Sequence, residues 1–122
     1  MKRGAPLQRR TAVRKRRTRQ RRRASVQLTA TQRAARFDAI AQIGCLVCGA
    51  PAEIHHLRGH PWSGGGQKAS DAHTIGLCSI HHRTGSASEV GYHQCPAEFE
   101  ARHGAQAVLL EEQNRRIGGL LL

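Results

Sequence analysis

The sequence predicts a small α+β domain, a two-stranded hairpin with flanking helices stapled by zinc, behind a disordered basic arm. Three observations carry that prediction. Two metal half-sites of equal spacing, Cys45-Leu-Val-Cys48 and Cys78-Ser-Ile-His81, stand 30 residues apart. Two strand-like stretches separated by a Gly-rich loop lie between them. The charge is also segregated: 12 of the 20 Lys and Arg fall within positions 1–23, where there is no Asp or Glu.

Residues 1–28 form the arm. Their Arg-rich, apolar-poor composition cannot bury enough surface to offset the entropy of ordering, which predicts disorder. Arg14, Lys15, Arg16, Arg17, Arg19, Arg21, Arg22 and Arg23 are its densest cluster. Clustered cations of this kind displace counterions from nucleic-acid phosphates, so these residues are the expected DNA contacts. The arm holds no aromatic residue, which leaves base stacking out of its repertoire.

Residues 29–122 form the body, with two Phe, one Tyr and one Trp to anchor a core. A domain this small buries only roughly 60% of its unfolded surface and needs a staple. The chain shows no apolar run of ~20 residues and no signal peptide, which argues against a membrane-spanning or secreted protein. Cysteines accompanied by histidines in a reducing cytoplasm read as metal ligands before disulfides.

Thr29 and Gln32 have the spacing of a capping box and open the first helix. Phe37, Ile40 and Ala41 recur at helical spacing, and Gly44 suits the position just past the helix end. The knuckle Cys45–Cys48 follows, with Gly49 relieving its turn. Ala52–Leu57 reads as a strand carrying His55 and His56, Trp62–Ser70 as a flexible loop, and Asp71–Cys78 as the second strand. A helix is expected from near Ser79. On it His81 shares the face of Cys78, while His82 is turned ~100° away. This assigns Cys45, Cys48, Cys78 and His81 to one structural zinc of Cys₃His type and leaves His82 for a second site with His55, His56 and His73. A Cys45–Cys48 redox disulfide is the rival reading, without the βαβ pattern that usually surrounds one.

Cys95 lies outside the zinc spacing, as a partly buried thiol or helix-flanking residue. Pro96 starts a short helix that ends at Gly104. Ala105–Ile117 reads as the last helix, with Val108 and Leu109 inward and Gly118-Gly119 as its stop. His93 is a candidate contact to a phosphate or a metal. One geometric difficulty stands: adjacent strand residues point to opposite faces, so His55 and His56 meet in one site only at a twist, bulge or strand end.

The run from Cys45 to about Gly104 resembles the HNH endonucleases of the ββα-metal fold, and within them the phage recombination-enhancement (Ref) nucleases. The resemblance rests on Cys45-x-x-Cys48, Glu53-Ile-His-His56, Lys68-Ala-Ser-Asp71, Thr74-Ile-Gly-Leu-Cys-x-x-His-His-Arg83, Gly91-Tyr-His93 and Phe99-Glu-x-Arg-x-Gly104. It implies that His56 is the general base and that His73 stands where an Asn usually orients it. It further implies that His55 and His82 hold a catalytic divalent metal, Mg or Mn. Asp71 enters as an acidic ligand or as a partner behind the ligands, and spacing leaves both open. Two positions depart from the pattern: His55 replaces a common Asp, and His73 replaces the Asn. The activity implied is metal-dependent cleavage of single- or double-stranded DNA in recombination or repair, on DNA held by a RecA filament. The alternative is a non-catalytic zinc-stapled DNA- or RNA-binding module. The histidines beyond the four zinc ligands separate the two, because a binding module has no use for them.

Overall fold

The structure, a computed structural model, describes residues 27–64 and 67–121. Arg14–Arg23 and the rest of the expected arm up to residue 26 lie outside the described residues. Among the described residues no helix is long and apolar enough to cross a membrane.

Helix α1, Ala30–Ile43, begins as its capping box predicts. Thr29 Oγ1 accepts from the Gln32 N–H at 3.1 Å, and the Gln32 side chain accepts from the Thr29 N–H at 2.9 Å. Two N–H groups that the first helical turn leaves without partners are thereby satisfied. The helix closes at Gly44, whose φ of 83° and N–H donated to the Ile40 carbonyl suit glycine.

Strand β1, Glu53–His56, pairs antiparallel with β2, Thr74–Leu77, in the register Glu53↔Leu77, Ile54↔Gly76, His55↔Ile75 and His56↔Thr74. Alternation then sorts the side chains. On one face Ile75 and Leu77 join Leu57, Tyr92, Phe99 and Leu109 in the core. The other face meets α1: a Cβ on Gly76 would lie 2.7 Å from Ile40 Cγ2 and 3.1 Å from Ala52 Cβ, so glycine lets the helix lie directly on the hairpin. Arg36 fastens that contact, donating to Thr74 Oγ1 at 2.9 Å and to Asn114 Oδ1 at 2.8 Å.

The helix expected after Cys78 is a single π-helical turn, Ile80–Thr84, closed by the Gly85 N–H on the Ile80 carbonyl. The carbonyls of His81 and His82 accept instead from the N–H groups of Tyr92 and His93, at 2.8 and 3.0 Å. An incoming turn of chain therefore takes the acceptors that a continuing helix would use.

Helix α2, Pro96–His103, has Pro96 in its first turn and Gly104 at its end, and buries Phe99 completely. Cys95 is partly buried at its N-cap. Helix α3, Gln106–Leu121, corrects two expectations. It runs through Gly118-Gly119, and Val108 faces outward at 59% exposure. Its inward positions are Gln106, Leu109 and Gln113. Gln113 Oε1 accepts from the Gly76 N–H at 2.8 Å, so a polar residue sits where hydrophobic periodicity looks for an apolar one. Leu28, before the first helix, and Ile117, near the end of the last, line one shallow groove of about 270 Å³ with Ala35, Arg36 and Ala72.

Candidate metal centres

The knuckle, the end of β2 and the π-turn bring Cys45, Cys48, Cys78 and His81 together, with their ligand atoms all within 4.8 Å of one another. Cys48 Sγ and Cys78 Sγ are 3.7 Å apart, and His81 Nδ1 lies 3.2 Å from Cys78 Sγ and 3.7 Å from Cys45 Sγ. Zn–S bonds of about 2.3 Å in a tetrahedron put two sulfurs ~3.8 Å apart, so the spacing fits a zinc ion. All four cysteines are free, without the Cys45–Cys48 disulfide of the rival reading. Burial pushes the Cys45 thiol up, but backbone N–H groups of Cys78, Cys48 and Val47 outweigh it and bring it down to about 7. Cys45 is thus set toward the thiolate that binds metal. At Cys48 the Ala50 backbone N–H, which lowers the thiol, is outweighed by burial and the side chains of Cys78 and Cys45, which raise it. On the far side of the His81 ring, Nε2 lies 3.3 Å from Glu89 Oε2, which is also 3.6 Å from His103 Nε2. These are ion-pair approaches without hydrogen-bond geometry, and both ring nitrogens are buried without a hydrogen-bond partner among the described residues.

The second cluster is His55, His82 and His93, again with one ring nitrogen from each within 4.8 Å of the others. His82 and His93 face each other through Nε2 at 3.1 Å. His82 Nδ1 donates to Glu53 Oε1 at 2.9 Å, which frees Nε2 to offer a lone pair. Glu53 is itself gripped by Arg83 at 2.9 and 2.7 Å, and Arg83 with His82 holds its carboxyl down to about 2. His55 is 1% exposed, packs 4.6 Å from the Tyr92 ring, and has its Nδ1 buried without a partner among the described residues. Burial, the largest effect, lowers His55 to about 4, and burial also lowers His93. Three ring nitrogens within 4.8 Å of one another, with one buried nitrogen of His55 unpartnered among the described residues, form a group that could hold a metal ion.

His93 therefore joins His55 and His82, whereas Asp71 and His56 do not. Asp71 Oδ1 lies 2.8 Å from His56 Nε2, with Arg33 3.9 Å from its other oxygen. The expected partner of His56 was His73, but His73 gives its carbonyl to the Leu57 N–H, and its Nδ1 is buried without a partner among the described residues. The hairpin explains why: residue 73 lies just beyond the register pair His56↔Thr74, while the turn Asp71–His73 swings the carboxylate back over the strand end. Sequence reasoning assigned no role to Glu53, Glu89 or Gln106. Glu53 carried a usable signal, since residues 53 and 55 of one strand share a face. Glu89 and Gln106 carried none, because long-range packing alone places them.

His55 and His56 point to opposite faces of β1, yet His56 is its last residue and both line one cleft of about 420 Å³. His82, His93, Arg58 and Lys68 line it as well. The strand end thus resolves the difficulty that alternation poses.

Residues 28–116 match the model of a family described as a protein of unknown function, DUF968. The chain is 37% identical over 67 residues to the uncharacterized protein YdfU of Escherichia coli (strain K12); the match takes in 54% of this chain and 17% of that protein. The chain thus spans less than a fifth of that relative's length. No solved structure matches.

Proposed function

The chain belongs to the DUF968 family, and from that premise we propose that its body is a metal-dependent DNA endonuclease of HNH type. The observation that carries this reading is the cleft in which His55, His82 and His93 adjoin His56, with Arg58 and Lys68 on the same wall. Phosphodiester hydrolysis needs a base to deprotonate water, positive charge for the phosphate oxygens, and a group that fixes the base. His56 is the base: its Nε2 faces Asp71, which leaves Nδ1 to accept a proton from water. Asp71 stabilises the imidazolium that results, and Arg58 and Lys68 hold the substrate phosphate. His55, His82 and His93 would hold a divalent cation, which would supply Lewis acidity toward the phosphate. Three imidazoles without a carboxylate ligand favour zinc, cobalt or nickel over magnesium and manganese, which prefer oxygen. The Cys45, Cys48, Cys78 and His81 zinc is structural. The basic arm tracks the DNA backbone, and the resemblance to the Ref nucleases adds a RecA filament as partner in the bacterial cytoplasm.

The test is cleavage of plasmid and single-stranded DNA by the zinc-loaded full chain across a metal panel, with and without a RecA filament. Cutting that depends on the added metal is expected. Tight DNA binding without cutting under any condition would replace the nuclease with a zinc-stapled binding module.

A further inference from the structure

Gln106 opens α3 and is buried, at 6% exposure. Its amide is locked by the backbone where the chain leaves β1: Oε1 accepts from the Arg58 N–H at 2.9 Å, and Nε2 donates to the Arg58 carbonyl at 2.8 Å. Reversing the amide would set donor against donor and acceptor against acceptor, so its orientation is determined. The same Oε1 lies 3.4 Å from His55 Nε2. An amide oxygen only accepts, so a neutral His55 meets it by carrying its proton on Nε2. The lone pair then falls on Nδ1, the atom that is buried without a partner.

We propose that Gln106 is a positioning residue for the second metal site, fixing His55 in the Nε2–H tautomer and thereby presenting Nδ1 as the ligand atom. The proposal rests on reading His55, His82 and His93 as that site. Glu53 does the converse for His82, taking the proton of Nδ1 so that Nε2 is free. Two outer acceptors on different elements thus select opposite tautomers, leaving His55 Nδ1 and His82 Nε2 with the lone pairs the proposal needs. Groups behind metal ligands of this kind typically contribute 10–100-fold in metal affinity.

The experiment titrates Co²⁺ into zinc-loaded full chain and reads the visible absorption of the second site, while long-range ¹H–¹⁵N NMR reads the His55 tautomer before cobalt is added. Gln106→Met keeps the length and loses the amide; Gln106→Glu keeps the acceptor and loses the donor to the Arg58 carbonyl. Expected are a 10–100-fold weaker cobalt affinity and loss of the Nε2–H tautomer in Gln106→Met, with Gln106→Glu within a few-fold of wild type. Wild-type affinity and tautomer in Gln106→Met would overturn the proposal. Equal weakening in both variants would also overturn it, because it would trace the effect to the Arg58 carbonyl bond. If Gln106→Met fails to fold, the wild-type spectrum still decides, since an Nδ1–H His55 contradicts the assignment. Wild type that takes up no second cobalt, or takes it up unchanged in His55→Ala, overturns the metal site itself and the proposal with it.

Discussion

His55 and His56 are neighbours in sequence and opposites in environment. His55 lies in the core against Tyr92, while His56 sits at the strand end on the carboxylate of Asp71. With His55 lowered to about 4 by burial, the unfolded chain takes up a proton near the ordinary value of 6.5 while the native chain does not. Stability is therefore complete above pH 6.5 and declines as pH falls toward 4. For protein without metal in the second site, the decline from pH 6.5 to 5 should be about 2 kcal/mol larger in wild type than in His55→Gln, measured by denaturant unfolding. His56→Ala should lower the DNA cleavage rate by about 10² while leaving zinc content unchanged, because on the proposed reading it removes the base, and His56 belongs to neither metal cluster. His73→Asn should cut within a few-fold of wild type, since its ring does not meet His56. A loss in His73→Asn as large as in His56→Ala would restore His73 as the orienting group. At this scale the sequence was legible where ligand type and short spacing coincide, as in the Cys₃His group. It was opaque at His73 and Asp71, whose separation depends on how the 71–73 turn folds back.

The elements that matter most are the hairpin and the π-turn. Consecutive residues of that turn serve different clusters: His81 Nδ1 meets the cysteines, and His82 Nε2 meets His93. A helical reading captured this divergence, because any turn of roughly that pitch rotates neighbours by ~100°. It did not capture the length of the turn, which is decided by the 91–95 segment capping its carbonyls. The same limit applies to α3, where periodicity of apolar residues looked toward Val108 and overlooked Gln106 and Gln113. Their amides satisfy backbone groups of the hairpin and its exit, a requirement that no hydrophobic count registers. A zinc held by Cys45, Cys48, Cys78 and His81 would organise the turn on which His82 depends, so losing it should disperse both clusters. Cys48→Ser should lose the zinc and the folded circular-dichroism spectrum, and Cys95→Ser should keep both. One bound zinc and a native spectrum in Cys48→Ser would show that the cysteine group is not the staple.

Across the whole molecule, charge and chemistry occupy separate parts of the chain. Residues 24–122 carry 8 basic and 8 acidic residues, so on the proposed reading the field that draws in DNA belongs to the arm. Removing residues 1–26 should leave zinc content and fold intact and weaken DNA binding. If about six arm cations neutralise duplex phosphates, the slope of log K against log salt should flatten by roughly 5. An unchanged slope would show that the body alone carries the phosphate contacts. The α+β class and the order of its elements were readable from turn and cap residues, which act locally. The way the first and last helices flank the hairpin was not, because the Arg36–Asn114 bond spans most of the body. That flanking has a structural consequence. Leu28 and Ile117 line the same groove, so the two ends of the family-matched segment, residues 28–116, lie side by side. A unit with adjoining entry and exit can be carried as a cassette, spliced into a loop of a larger protein without prising its host apart.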